Sequence, residues 1–389
     1  MRKEDNTPAL RFPGFEDKWK YNTLGNLLEF KNGINANKDQ YGHGVKFINV
    51  LDILNNDFIT YDKIIGSVAV DENTIDKNAV RYGDILFQRS SETREEVGSA
   101  SVYLDKEKIA TFGGFVIRGK KIADYVPEFF NKLLKTDTAR DSITSRSGGS
   151  TRFNVGQETL STVNLAFPSL PEQQKIASFL ASVDEKLMQI KQQKALLEQY
   201  KKGVMQRIFS QEIRFRDENG KEFPEWKPKT LSQLAKILYG KDQKKVVAEN
   251  GIFPILGTGG IIGNTNQFLY DKPSVLIGRK GTIDKPVYMD TPFWTVDTLF
   301  YTEVFTNTFP KWLFYKFQTI NWYLYNEASG VPSLSGSTIY KIKFDLPCIE
   351  EQTKIANFLS TLDDKINHCS VQIEKTEQWK KGLLQKMFC

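Results

Sequence analysis

Phe167-Pro168-Ser169-Leu170-Pro171-Glu172-Gln173-Gln174-Lys175-Ile176-Ala177-Ser178-Phe179-Leu180 returns later in the chain as Leu346-Pro347-Cys348-Ile349-Glu350-Glu351-Gln352-Thr353-Lys354-Ile355-Ala356-Asn357-Phe358-Leu359. The offset of 179 holds without a gap to the C-terminus, where Gln199-Tyr200-Lys201-Lys202-Gly203 matches Gln378-Trp379-Lys380-Lys381-Gly382. Roughly 18 of 42 aligned positions are identical, far above chance, so the chain is built on an internal repeat. Both copies read as long helices. Ile176, Leu180, Val183, Leu187, Ile190, Lys194, Leu197, Lys201, Val204 and Ile208 fall at alternating steps of four and three. Its echo runs Ile355, Leu359, Leu362, Ile366, Cys369, Ile373, Thr376, Lys380, Leu383 and Met387. A stripe of period 3.5 over five heptads specifies a coiled-coil seam. Each stretch of about 38 residues would extend about 57 Å. An antiparallel pair using both seams along their length is expected, holding two globules apart; the alternative is that each helix packs only on its own globule.

Outside the helices the repeat persists with other offsets. Trp19, Thr23, Leu24, Leu27 and Gly33 match Trp226, Thr230, Leu231, Leu234 and Gly240 at a shift of 207. Asp84-Ile85-Leu86-Phe87-Gln88-Arg89 lies over Ser274-Val275-Leu276-Ile277-Gly278-Arg279 at a shift of 190. The order is therefore globule, helix, globule, helix, with the second globule about 28 residues shorter and a pseudo-twofold relation expected between the units. Short β-type runs are expected at 45–50, 64–70, 85–87, 101–104 and 115–117, with a helix at 127–138 and its counterpart at 310–319. The fold class is α+β: two β-rich globules at 1–170 and 211–346, and two long antiparallel coiled-coil helices at 171–210 and 347–389.

Two loops in each globule carry the groups suited to nucleic acid. Arg89 and Arg279 stand just past matching apolar strands, followed by Arg94 and Lys280. An arginine at a strand exit can present its fork to a guanine edge in the major groove; a structural ion pair is the alternative. Just before each long helix comes a polar loop. The first holds Arg146, Ser150, Thr151, Arg152 and Asn154, the second Ser333 and Ser335, and small donors with arginine suit phosphate and base contacts. An ordinary turn into the helix is the competing reading there. Phe153 stands where the second unit has Pro332, which leaves the alignment of these loops open.

Composition bounds the remaining possibilities. The 389 residues carry 53 Lys+Arg against 47 Asp+Glu, a net charge of +6 that falls short of a strongly basic footprint. With 40% hydrophobic residues the chain can form real cores. The start, Met1-Arg2-Lys3-Glu4-Asp5-Asn6-Thr7, is too polar for a signal peptide, and no apolar run approaches about 18 residues. Three cysteines (Cys348, Cys369, Cys389) make no disulfide framework, so a reducing cytoplasm is the expected location. The only histidines, His43 and His368, lie in unrelated segments, which argues against a histidine metal site or a triad. His43, between Gly42 and Gly44, is expected in a turn. Gly257-Thr258-Gly259-Gly260-Ile261-Ile262-Gly263 imitates a dinucleotide fingerprint, but its spacing is wrong and Asn264-Thr265-Asn266 follows where a helix should start. No GxxxxGK[ST] loop occurs. Glu95-Glu96 and Asp363-Asp364 are expected on solvated surface.

Taken together, Leu170-Pro171-Glu172-Gln173-Gln174-Lys175-Ile176-Ala177, its echo from Ile349, and the opening Leu10-Arg11-Phe12-Pro13-Gly14-Phe15 make the chain resemble the specificity subunit of bacterial type I restriction-modification systems, over essentially its whole length. The resemblance implies that each globule is a target-recognition domain reading one half of an asymmetric bipartite site in double-stranded DNA. It implies that the helices serve as a spacer and as the docking surface for two methylation subunits, with Ile176, Leu180, Val183, Leu187, Ile190, Ile355, Leu359, Leu362, Ile366 and Ile373 in that interface. Restriction subunits would join the assembly, with no membrane involved. Adenine methylation using S-adenosylmethionine, and cleavage driven by ATP with Mg, would belong to partner chains, leaving this chain without catalysis or cofactor. No Asn-Pro-Pro-aromatic methyltransferase motif occurs, in keeping with that division. A protein-binding coiled-coil adaptor without DNA readout would share the helices but leaves the paired arginine loops unexplained. The modest charge fits a subunit whose partners supply part of the phosphate grip, so the isolated chain is expected to bind DNA weakly and to release it at moderate salt.

Overall fold

The structure, a computed structural model, describes residues 6–388; the polar start Met1–Asp5 and Cys389 lie outside the described residues. Ile190–Val371 forms one compact unit, and the described residues before and after it form the other. Both long helices thus contribute to both units.

Hydrophobic pattern and turn chemistry build the same sheets twice. In the first unit an antiparallel sheet runs in the order Leu28–Asn32, Val116–Lys121, Ile85–Gln88, Ala100–Val102. Its counterpart in the second unit is Ala235–Tyr239, Leu299–Val304, Ser274–Gly278, Val287–Met289. The third strand of each is buried at every position, because one face meets the helical layer and the other a smaller three-stranded sheet. That smaller sheet is Ser67–Val68, Tyr41–Ile48, Thr111–Phe112 in the first unit and Gly260–Thr265, Phe253–Gly257, Trp294–Thr295 in the second, each with one parallel pair. Gly33 and Gly240 are required where the chain crosses: a Cβ would stand 2.2 Å from the Gly113 carbonyl oxygen or 2.0 Å from that of Val296. Each globule closes with a two-stranded ladder, Lys20–Thr23 with Asn164–Phe167 and Lys227–Thr230 with Lys343–Leu346, which delivers the chain to its long helix.

Several local expectations change. The run expected as one helix at 127–138 is two, Pro127–Leu133 and Asp137–Thr144, because the Thr136 hydroxyl caps the second by accepting from Ala139 N at 3.3 Å. Val50 opens a short helix rather than ending a strand, since the Asp52 carboxylate accepts from Asn49 N at 2.7 Å. Only Ser67–Val68 of the 64–70 run pairs as strand. His43 lies inside the strand Tyr41–Ile48 and not in a turn, at a register irregularity where Gly42 and Gly44 take φ of 95° and 88°.

The long helices run Leu170–Phe209 and Ile349–Met387. In the first unit Ile176, Leu180 and Val183 are buried in one core with Leu383 and Met387; in the second, Ile355, Leu359 and Leu362 share a core with Met205 and Ile208. The beginning of each helix thus packs beside the end of the other, which makes the pair antiparallel. Ion pairs lock the same arrangement twice. Lys380 Nζ meets Asp184 at 2.5 Å in the first unit, and Lys201 Nζ meets Asp363 at 2.6 Å in the second. These are equivalent residues under the 179-residue offset. Asp363 is therefore a half-buried acceptor of two donors, Lys201 and the Tyr315 hydroxyl, and not the solvated acid its neighbour Asp364 suggested.

The repeated Glu-Gln pair docks each globule onto its helix. Gln173 and Gln352 are both buried. Gln173 Oε1 accepts from Val126 N at 3.0 Å while its amide donates to Pro168 O; Gln352 accepts from Phe309 N at 2.7 Å and donates to Pro347 O. Val126 and Phe309 sit immediately before the proline that opens each globule helix, so one side chain satisfies an orphan amide and fixes the packing angle.

Candidate nucleic-acid interface

The buried strands Ile85–Gln88 and Ser274–Gly278 deliver Arg89 and Arg279 to the surface in one and the same frame. Arg89 N donates to Phe115 O at 2.9 Å, its carbonyl accepts from Val155 N at 3.0 Å, and its Nη1 donates to Gly114 O at 3.4 Å. Arg279 N donates to Thr298 O at 2.8 Å, its carbonyl accepts from Leu334 N at 2.9 Å, and its Nη1 donates to Asp297 O at 3.2 Å. Val155 and Leu334 are related by the helix offset. Arg279 also makes an ion pair with Asp297 at 3.5 Å and lies over the Tyr239 ring, so part of its charge is engaged within the chain. Its side chain remains 30% exposed, and Arg89 is exposed.

The polar loop before each long helix is bonded directly to the arginine loop. Phe153–Asn154 pairs antiparallel with Ser90–Ser91, placing Asn154 opposite Ser90. In the second unit Ser333 bridges Lys280, and Pro332 O accepts from Gly281 N at 2.8 Å. Asn154 and Ser333 hold equivalent positions, so the loops align through Phe153 and Pro332: proline lacks an N–H, but its carbonyl makes the contact. Gly149, with φ of 112°, turns the first loop, and a Cβ there would lie 2.1 Å from Arg152 O.

The remaining candidates divide by what they already bond. Ser150 and Thr151 are exposed at the loop crest. Arg152 is exposed with Glu92 at 3.9 Å, and Asn154 Nδ2 reaches back to Arg152 O. Arg94 donates to Thr144 O at 3.2 Å, and Arg146 folds back onto Ser142; both are exposed. Lys280 is exposed, whereas Ser333 is half-buried with its amide bonded to Asn326 Oδ1 at 2.8 Å. Ser335 caps the helix Gly336–Tyr340 by accepting from Thr338 N, and donates to Glu327 at 2.6 Å. The Ser335 and Thr338 hydroxyls hold the Glu327 carboxyl below its ordinary range. Ser335 thus braces the loop from behind.

Among the helix candidates, Leu187 and Ile190 are buried, like Ile176, Leu180, Val183, Ile355, Leu359 and Leu362, and Ile366 and Ile373 are half-buried. The buried positions serve packing inside the chain and present little accessible surface. The exposed large apolar residues of the same helices are Leu170, Met188, Leu196, Tyr200, Ile349, Val371 and Trp379. Their position off the seam was the available sequence signal.

Three supporting residues escaped sequence reasoning. Arg140 donates to the carbonyls of Gly98, Val97 and Glu95 at 2.7, 2.7 and 2.9 Å, pinning the loop that follows Arg94. Asn326 organises the second polar loop by accepting from Ala328 N and Ser333 N. Tyr239, beside Gly240, gives Arg279 its aromatic face. Nothing in local sequence marks the first two; the third precedes a glycine already matched between the units. Among the described residues no group of His, Cys, Asp and Glu is placed to hold a metal, and no helix is long and apolar enough to cross a membrane.

Comparison with known proteins converges on one family. The family described as Type I restriction modification DNA specificity domain matches residues 16–199 and 224–376. A putative type I restriction enzyme MjaX specificity subunit of Methanocaldococcus jannaschii is 24% identical across 98% of this chain and 95% of its own length. The fold is shared with the type I restriction-modification S subunit from M. genitalium (TM-score 0.62, 18% identity, 98% of this chain and 99% of that one). It is also shared with the HsdS subunit from Thermoanaerobacter tengcongensis (TM-score 0.52, 15% identity, 97% of each chain). With two matched segments, one in each copy of its internal repeat, the chain belongs to the type I restriction-modification DNA specificity subunits.

Proposed function

We propose that the two globules each read one half of an asymmetric bipartite site in double-stranded DNA, and that the chain thereby directs partner subunits to methylate adenine and to restrict unmodified DNA. As a specificity subunit the chain recognises the target and is not itself the catalyst. The observation that carries the bipartite reading is the equivalence of Arg89 and Arg279. They occupy one hydrogen-bonded frame in two units whose surrounding loops have diverged, as expected for readers of different sequences.

In the first unit, Arg89, Arg94, Arg146, Ser150, Thr151, Arg152 and Asn154 make the base and phosphate contacts, and in the second Arg279, Lys280 and Ser333 do so, with Ser335 holding the loop. An arginine fork on guanine supplies direct readout, while the hydroxyls and lysine fix the register on phosphate. The domains divide as 1–170 and 211–346 for recognition and 171–210 and 347–389 for the helical spacer. Two methylation subunits, carrying S-adenosylmethionine, dock on the outward faces of the helices, and ATP-driven, Mg-dependent restriction subunits join them in the cytoplasm. Mapping methylated adenines in DNA from a host expressing this chain with its methylation partner tests the reading. Methylation confined to two short defined blocks separated by undefined base pairs is expected. A single uninterrupted target, or no methylation with the partner active, would favour an adaptor that reads no DNA.

A further inference from the structure

Two neighbouring isoleucines face water near the reading loop of the second unit. The strands Phe253–Gly257 and Gly260–Thr265 are joined by the tight turn Thr258-Gly259, and their register slips so that Leu256 faces Ile261 while Ile255 faces Gly263. Ile262 is thus the unpaired residue of a bulge, a device that re-aims side chains. Ile261 is 69% exposed and Ile262 54%. They lie on the outer strand of their sheet, where charge is the usual guard against unwanted pairing, so two bare aliphatics there call for a function. The turn abuts the cations, since a Cβ on Gly281 would lie 3.6 Å from the Thr258 hydroxyl, directly after Arg279 and Lys280.

The first unit also exposes apolar side chains near its arginine, but on other elements. Its strand Tyr41–Ile48 leads into the short helix from Val50 instead of a tight turn. Leu51 and Phe115, each 66% exposed, line one cleft there, and the Phe115 carbonyl is the acceptor of the Arg89 amide. In both units exposed apolar side chains therefore accompany the arginine.

We propose that these tips are wedges that enter the base stack of the bound duplex, Ile261 and Ile262 from the second unit and Leu51 and Phe115 from the first. The inference rests on the DNA reading above and deepens it. Cations hold the duplex in register while an apolar side chain slips between two base pairs, partly unstacking them and bending the helix. Each half-site is then read twice, by base edges at the arginine and by the ease with which one step unstacks, which is greatest at pyrimidine–purine steps.

The test uses the full chain assembled with its methylation subunit on target DNA carrying 2-aminopurine at successive positions other than the methylated adenine. Wild type is expected to raise the fluorescence at one step in each half-site. Ile261→Ser with Ile262→Ser should abolish the rise in one half only and weaken specific binding on the order of tenfold. Ile261→Leu with Ile262→Leu, which keeps the apolar volume, should retain both. Tight specific binding by wild type with no fluorescence change anywhere would overturn the wedge while leaving the DNA reading intact, as would a serine variant that keeps the signal. Absence of specific binding by the wild-type complex would overturn the DNA reading and the wedge with it.

Discussion

At the root of the long helices the two units meet the same architectural problem with the same acid and the same kinds of partner, an arginine and a tryptophan, but bond them differently. Glu172 takes both prongs of Arg11, at 2.8 and 2.7 Å, while the indole nitrogen of the buried Trp19 has no hydrogen-bond partner among the described residues. Glu351 takes Arg214 at 3.3 and 2.8 Å and also the indole N–H of Trp226 at 2.9 Å. Twelve residues further along each long helix the divergence is larger. Asp184 receives Lys132 as well as Lys380, whereas Asp363 receives Tyr315 as well as Lys201. At these sites the helix residues Glu172/Glu351, Asp184/Asp363 and Lys201/Lys380 recur between the copies, whereas the globule residue that joins each aspartate, Lys132 or Tyr315, differs. The helices must satisfy each other across the antiparallel pair, so a change on one strands a charge on the other. A globule residue answers only to its own unit.

The largest expected effect breaks what the units share. Glu351→Ala leaves Arg214 without its carboxylate and Trp226 without that acceptor, and Glu172→Ala removes the carboxylate that takes both prongs of Arg11 at a site where both side chains are largely buried. Each is expected to cost about 3–5 kcal/mol in denaturant unfolding. A loss under about 1 kcal/mol in either would mean that the pair does not anchor its globule. The tryptophans sharpen the difference. Trp226→Phe removes a hydrogen bond to a charged group, worth about 1.5–3 kcal/mol beyond the change in volume, and Trp19→Phe removes none. Equal destabilisation by the two would contradict the asymmetry.

The smallest effects are in pH dependence. Burial raises the Asp57 carboxyl, but Lys135 and Lys132 outweigh it and hold the group well below its ordinary value of 3.8. Its stabilisation is therefore present above that value and is lost as pH falls through the lower folded one. Tyr315 runs the other way. Burial, and then its bond to Asp363, push the phenol above its ordinary 10.0, so its contribution is present below that value and fades as pH rises through the higher folded one. Melting temperatures across pH should show Asp57→Asn flattening the acid limb and Tyr315→Phe the alkaline limb. The reverse assignment would remove the pairing of Lys132 with Tyr315 as alternative answers to one acid.

Much of this comparison was legible before any coordinates. The gap-free offset in the helices predicted two related units, because a seam that packs against its own copy constrains most of its positions. The matching strands before Arg89 and Arg279 were visible for the same reason, each being fully buried. What stayed hidden depends on tertiary partners. Asp363 resembled a solvated acid because its donors, Lys201 and Tyr315, lie 162 and 48 residues away. The pairing of Phe153–Asn154 with Ser90–Ser91 brings together two loops that sequence treated separately, and two-residue strands leave no periodic signal. Of the seam residues expected to meet a methylation subunit, all but Ile366 and Ile373 are buried. Periodicity identifies the stripe that packs, but not whether a globule or a partner covers it.

The central claim is that each unit reads its own half-site through one equivalent arginine. The direct measurement is a map of methylated adenines in hosts carrying Arg89→Ala, Arg279→Ala or the unaltered chain, each with the methylation partner. Each substitution should relax one base position, by about 1–3 kcal/mol of discrimination, and the two relaxed positions should fall in opposite halves of the target. Relaxation of the same half by both substitutions, or an unchanged target with either, would contradict the account.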